Sequence, residues 1–238
     1  MLDESFLAVK SRLLEIKERI RRAELREGRE EGSVELIAVS KAQQAQGIAE
    51  AILAGHFAFG ENYVQEALEK RGLFLSDPRI ELHFIGHLQR NKVKALLQVP
   101  WPRLVIHGLD SERIIDELGN RARALGTRVE VLIQVNLGGE PQKSGCTLSA
   151  LPALIDRVRT FPELILRGLM TIPPWNPDPE QSRPHFAQLR SLRDQFLGPN
   201  AWLSMGMSHD FEVAIAEGAT HVRIGRAIFG ERGKSEQA

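Results

Sequence analysis

Val34-Glu35-Leu36-Ile37-Ala38-Val39-Ser40-Lys41 reads as a buried strand that ends on a lysine. A run of β-branched and apolar residues is expected to be covered on both faces. A lysine is not, because burying an ammonium without a partner is costly. Lys41 is therefore expected where the strand emerges, at the rim of a sheet.

Beyond this strand the chain alternates. Further strands are expected at Phe57–Gly60, Leu82–Gly86, Leu104–Gly108, Val129–Asn136, Leu166–Thr171, Trp202–Gly206 and His221–Gly225. Helical periodicity falls between them, over Gln46–Leu53, Tyr63–Leu73, Leu88–Leu97, Glu112–Leu125, Leu148–Phe161, Pro179–Phe196 and Phe211–Glu217, with a last segment after Ile228. Eight strands alternating with helices imply parallel strands joined by crossovers, and eight closes a (β/α)8 TIM barrel. A doubly wound open sheet would carry a glycine fingerprint in its first turn, but that turn is Ser40-Lys41-Ala42-Gln43. Residues 3–28 read as one long helix with an apolar stripe of Leu2, Phe6, Val9, Leu13, Ile16 and Ile20. The expected organisation is an N-terminal helical segment over 1–33 packed on a barrel over 34–231, then a flexible tail over 232–238.

The 238 residues are 42% hydrophobic and 26% charged, an ordinary globular composition. Lys+Arg and Asp+Glu both number 31, so there is no global basic field to favour nucleic acid. The single cysteine, Cys146, rules out an internal disulfide. The acidic start, Met1-Leu2-Asp3-Glu4-Ser5, is unlike a signal peptide. No apolar run approaches the roughly 20 residues of a membrane span. A soluble, cytoplasmic protein is expected, as a monomer or a weak dimer seamed by the N-terminal stripe.

In such a barrel, function collects at the C-terminal strand ends. Lys41 at the first of these could attack a carbonyl as a neutral amine, which requires a pKa below the free value of about 10.4. It could equally be a solvated strand-end lysine. Ser204-Met205-Gly206-Met207-Ser208 leads to a helix near His209-Asp210, and Val222-Arg223-Ile224-Gly225-Arg226 to another short one. Barrels commonly bind phosphate at the loops after strands seven and eight. Ser208 offers a hydroxyl there, and Gly225 and Arg226 offer N–H groups; read singly, Ser208 is also a plain helix cap and Gly225 a tight turn. Arg223 has two phases open to it, outward to a helix carboxylate or inward to the barrel mouth. Asn62 is a good helix cap that would also lie beside Lys41. His83 and His87 flank Gly86 without a shared face, so they are not read as a metal pair. A carbonyl-reactive lysine, a phosphate cradle and a nearby cation together suggest pyridoxal 5'-phosphate.

Several motifs then match a known family in order. They are Ala38-Val39-Ser40-Lys41, Phe59-Gly60-Glu61-Asn62-Tyr63-Val64-Gln65-Glu66, His83-Phe84-Ile85-Gly86, Arg167-Gly168-Leu169-Met170, Leu203-Ser204-Met205-Gly206-Met207-Ser208 and Val222-Arg223-Ile224-Gly225. From about residue 34 to 231 the chain resembles the YggS/PROSC family of pyridoxal phosphate homeostasis proteins. The resemblance implies a fold-type III barrel like the N-terminal domain of alanine racemase, with Lys41 as the Schiff-base lysine. It implies Asn62 near the cofactor, Arg223 facing the pyridine nitrogen, and Ser204, Ser208 and Gly225 in the phosphate cradle. Arg226 stands where the family commonly has Thr or Ser, which removes a hydroxyl and leaves its N–H. His87 stands where proline is frequent.

The family implies a binding protein that holds the cofactor, and passes it to apo-enzymes, without catalytic turnover. The alternative is an amino-acid racemase. Racemases of this fold add a β domain that supplies an opposing tyrosine, whereas this chain ends just after its eighth strand and its only tyrosine is Tyr63. A third reading, a cofactor-free aldolase-like barrel, would want paired carboxylates at the strand ends, and none stand there. Lys143, on the loop after the fifth strand, reads as a solvated lysine, with a secondary cofactor contact as the alternative.

Overall fold

A computed structural model describes residues 4–140 and 142–230. The tail expected over 232–238 lies outside the described residues, as do Leu2 and the Phe6 side chain. The elements run α1 (Glu4–Arg26), β1 (Glu35–Val39), α2 (Ala45–Leu53), β2 (Ala58–Glu61), α3 (Val64–Glu69), α4 (Arg71–Phe74), β3 (Glu81–Phe84) and α5 (Arg90–Leu97). They continue with β4 (Arg103–Leu109), α6 (Glu112–Leu125), β5 (Val129–Gln134), α7 (Leu151–Arg159) and β6 (Leu164–Met170). A 3-10 turn (Pro179–Ser182) then precedes α8 (Arg183–Phe196), β7 (Trp202–Met207), α9 (Phe211–Ala216), β8 (His221–Ile224) and α10 (Arg226–Phe229).

The eight strands close in sequence order, β1 pairing with both β2 and β8, all parallel. This is the expected (β/α)8 barrel. All eight strand expectations are met within a few residues. The last helix differs from expectation: it spans Arg226–Phe229 rather than following Ile228, because Gly225 ends β8 and the chain turns at once.

The apolar core is divided. The larger part lies between strands and helices and includes Leu36, Ala38, Phe59, Phe84, Ile106, Ile133 and Val222. A second, smaller cluster holds Val105, Leu132 and Met170, with Ile172 and Trp202 against them. Much of the remaining interior is polar: Ser204, His83, His107, His221 and Arg223 are all buried.

The α1 stripe is covered by this chain's own barrel. Val9, Leu13, Ile16 and Ile20 are each 5% exposed or less. Burying each such side chain contributes about 1.5–3 kcal/mol, which favours a docked helix over a free seam. Polar latches join it to the end of the barrel. Arg19 pairs with Glu212 at 2.9 Å, Arg12 donates to the Ile228 carbonyl at 3.1 Å, and Arg29 to that of Ala219 at 2.8 Å. Glu24, buried, accepts the Val34 N–H at 2.7 Å and so fixes the entry to β1. No helix among the described residues is long and apolar enough to cross a membrane.

Candidate cofactor site

The C-terminal mouth of the barrel holds a cavity of about 610 Å3. Its lining brings together Lys41, Asn62, Ser208, Arg223, Gly225 and Arg226 from β1, β2, β7 and β8 ends, with Trp175 and His209 at the rim. Lys41 is the one lysine lining it among the described residues.

Lys41 lies two residues past the end of β1, in a turn whose two flanking peptide groups are both held. The Lys70 ammonium donates to the Ser40 carbonyl at 2.7 Å, and Glu66 accepts the Ala42 N–H at 2.7 Å. Lys70 is also bonded to Glu61 at 2.8 Å and to Glu66 at 3.2 Å, which uses all three of its donors. Ser40 Oγ donates to Glu61 Oε1 at 2.7 Å. Burial pushes the Glu61 carboxyl upward, while Lys70 and Ser40 act to lower it. Ala42 adopts φ 54°, in the left-handed region that non-glycine residues rarely occupy. Together these contacts fix the backbone from which the Lys41 side chain leaves.

Asn62 is placed by close packing. A Cβ on Gly86 would lie 2.0 Å from the Asn62 carbonyl oxygen, and one on Gly108 would lie 2.4 Å from that of Gly86. Only glycines let three successive strand ends stack this tightly at the rim. Gly86→Ala is expected to push the Asn62 segment outward and cost about 1–3 kcal/mol. Urea unfolding measures the cost, and a change in cofactor uptake reports the displaced Asn62. Asn62 Oδ1 is buried without a hydrogen-bond partner among the described residues. Asn62 lines the cavity, and an unpaired buried amide oxygen on such a residue fits a ligand that supplies the missing partner.

Arg223 takes the inward phase and is 3% exposed. Its Nη1 donates to Ser204 Oγ at 2.7 Å and its Nη2 to the Thr171 carbonyl at 2.9 Å. Burial lowers its pKa to about 10, Asp210 acting in the opposite direction, so it remains a cation at neutral pH. Asp210 in turn fixes the turn after β7, accepting the Met207 N–H at 2.8 Å and the Ser182 hydroxyl at 2.9 Å. Asp210, and not Ser208, occupies the cap position of α9, which leaves Ser208 on the cavity wall. At Gly225 an added Cβ would meet the Val39 carbonyl oxygen at 3.1 Å. Arg226 is exposed at the cavity edge.

The alanine racemase, N-terminal domain family matches residues 13–233. The pyridoxal phosphate homeostasis protein of Aquifex aeolicus is 45% identical over 225 residues, 93% of this chain and 97% of that one. The chain belongs to the pyridoxal phosphate homeostasis protein family. Among solved structures, an unknown protein from Bifidobacterium adolescentis superposes with a TM-score of 0.88 at 36% identity, covering 96% of this chain and 98% of that one. PipY of Synechococcus elongatus, solved with PLP bound, gives a TM-score of 0.79 at 33% identity, covering 93% of this chain and all of that one.

Within this member of the homeostasis family, Ser204 does not line the cavity where a phosphate-cradle residue would stand. It lies beneath Arg223, fully buried, its hydroxyl bonded to Arg223 and to His107 Nδ1 at 2.9 Å. Lys143 pairs with Glu140 on its loop. His87 is exposed and faces Asp110 at 3.4 Å, while the His83 ring points into the barrel. His107 and His221 were not singled out from the sequence. The available signal was parity: in Leu104–Gly108, Val105 and His107 share one strand face, and that face is the barrel interior.

Cys146 is buried and its thiol is pushed up to about 12, by burial first and then by Asp110. It is therefore held as the unreactive thiol. Iodoacetamide is expected to leave Cys146 unmodified in the folded protein and to alkylate it fully in denaturant, as read by mass spectrometry.

Proposed function

We infer that this chain binds pyridoxal 5'-phosphate as a Schiff base on Lys41 and serves its homeostasis in the cell without turning over an amino acid. The observation that carries the reading is one lysine, among the described residues, lining the same cavity as a buried arginine and an asparagine whose amide oxygen lacks a hydrogen-bond partner. The bound cofactor supplies an aldehyde for the lysine amine and an electron-withdrawing ring.

Each protein group then has a task. The Lys70–Glu61–Glu66 cluster orients Lys41. Ser208, with the backbone N–H groups at Gly225 and Arg226, receives the phosphate, the hydroxyl as donor and the glycine by allowing close approach. Asn62 takes a polar edge of the ring. Arg223 faces the ring nitrogen. A guanidinium can only donate, so the nitrogen opposite it stays unprotonated, and the ring is a weaker electron sink than one paired with a carboxylate. That property favours holding the cofactor over carbanion chemistry. Tyr63 is 61% exposed and does not line the cavity, so it offers no acid or base opposite Lys41. Apo-enzymes that need the cofactor are the proposed recipients.

The test is uptake followed by a turnover assay. Dialysed protein titrated with pyridoxal 5'-phosphate is expected to take up one equivalent, seen in the visible spectrum. Incubated with free L-amino acids, the loaded protein is expected to show no racemisation above free cofactor. Racemisation that disappears in Lys41→Ala would establish an enzyme instead.

A further inference from the structure

The barrel interior contains a chain of buried polar groups that the proposed binding role leaves unexplained. It starts at Arg223 Nη1, which lies 2.7 Å from Ser204 Oγ. Ser204 Oγ lies 2.9 Å from His107 Nδ1, and His107 Nε2 lies 2.9 Å from His83 Nδ1. His83 Nε2 then faces Glu81 Oε2 at 3.5 Å, and has no closer hydrogen-bond partner. Ser204, His83 and His107 each have 0% exposure. An apolar filling would avoid the cost of burying these groups, so a chain hydrogen-bonded from Arg223 to His83 calls for a reason.

The ends of the chain dictate its direction. Arg223 can only donate, so the Ser204 hydroxyl accepts from it and turns its own proton onward. Among the described residues His107 Nδ1 is the one acceptor bonded to that hydroxyl, so it accepts, which puts the His107 proton on Nε2. That proton is donated to His83 Nδ1, which puts the His83 proton on Nε2, pointing at Glu81. Glu81, held down to about 2 by the histidine contact and by Arg103, is an ionised acceptor. His107 is neutral, its pKa driven down by burial and then by His83, His221 and Arg223. The chain therefore runs one way, from the cofactor cavity to the opposite pole of the barrel.

The surroundings hold both ends. At the pole, Arg103 bonds Glu81 and Glu130, each at 2.7 Å, and Arg167 pairs with Glu130. Glu35 on β1 is a further carboxylate near Glu81, and burial raises its pKa. From β8 the His221 ring packs 6.0 Å from His83 and 6.3 Å from His107, neutral at about 3, with its Nδ1 bonded to Thr220. At the mouth, Asp210 is the acidic group that acts on Arg223.

We propose that Ser204, His107 and His83 form a one-directional hydrogen-bond relay, anchored on Glu81, that positions Arg223 and sets how strongly it donates to the pyridine nitrogen. The effect on the nitrogen rests on the cofactor reading above; the direction of the relay does not. These three are positioning residues, acting through Arg223. With His107 removed, the Ser204 proton has no onward acceptor, and the hydroxyl can rotate away from its present geometry. Arg223 then keeps only its Nη2 bond to the Thr171 carbonyl and loses the partner that fixes the aim of Nη1.

Two measurements test this. Nitrogen NMR of the wild-type protein labelled at histidine is expected to show His83 and His107 both neutral with the proton on Nε2. An Nδ1–H tautomer at either residue, or an imidazolium at His83, reverses the chain and overturns the relay. This measurement needs no variant and no cofactor. Reconstitution with ring-nitrogen-labelled pyridoxal 5'-phosphate is then compared in wild type, His107→Phe and His107→Gln. The pyridine signal is expected to shift in His107→Phe toward that of a less hydrogen-bonded nitrogen and to move back in His107→Gln. The amount of cofactor trapped on Lys41 is expected to be unchanged. An identical pyridine signal in wild type and His107→Phe would overturn the tuning role. If wild type takes up no cofactor, the binding reading fails, and the tautomers still decide the relay.

Discussion

Replacing Lys41 with alanine is expected to abolish covalent capture of pyridoxal 5'-phosphate. Lys41 is the one lysine lining the cavity among the described residues, so no other ammonium there can take over the bond. Contacts from Arg223, Ser208 and the Gly225 corner would survive and leave weak, reversible binding. Loss of the covalent bond is expected to raise the apparent Kd at least about 100-fold, or about 2.8 kcal/mol. Thermal unfolding gives an independent readout. A ligand at 100 times its Kd stabilises the folded state by about 2.7 kcal/mol, and Lys41→Ala should lose most of that increment. A variant that still traps a pyridoxyl group on borohydride reduction would show that another lysine carries it.

Lys70→Met is expected to be the most destabilising substitution near the site. Its partner Glu61 has a fully buried side chain, and Lys70 itself is only 12% exposed. Breaking a buried pair by removing one member costs about 3–5 kcal/mol, because the remaining charge is stranded. The pH dependence has a definite sign. The folded Glu61 pKa is raised above its unfolded value of about 4.3, and losing Lys70 raises it further. The penalty in Lys70→Met should therefore be smallest below about pH 4.3 and grow as pH rises through the folded value. Urea unfolding of wild type and variant over that range tests it, and a pH-independent difference would contradict the buried-charge account. The same substitution removes the Lys70 bond to the Ser40 carbonyl and leaves the Gln43 N–H on it, so the Lys41 turn is held less firmly and cofactor capture on Lys41 should slow even where the variant is folded.

The barrel was legible because parallel strands buried on both faces leave continuous apolar runs, such as Leu36–Val39 and Val131–Ile133. Helix boundaries were less so. Tyr63–Leu73 has one helical period, yet the chain breaks it between α3 and α4 at Lys70. The Lys70 side chain turns back to Ser40 and Glu61, a tertiary demand that periodicity does not encode. Pro179–Phe196 likewise divides into a 3-10 turn capped by Asp178 and the helix α8. At the site, Lys41, Asn62, Ser208, Gly225 and Arg226 reach one cavity because each follows the end of a strand. Arg223 was open between two phases. The register shift between Ser204 and Met207 pairs Met207 with Arg223, and the guanidinium lies inward over Ser204. His107 and His83 were hidden for a related reason. Each stands among apolar residues of its own strand, and only closure of the sheet sets them in line with Ser204.

Borohydride reduction of the protein loaded with pyridoxal 5'-phosphate, followed by peptide mapping, decides which residue holds the cofactor. One pyridoxyl group on the peptide that carries Lys41 is the predicted result. A pyridoxyl group on Lys143 or another lysine, or none at all, would contradict it.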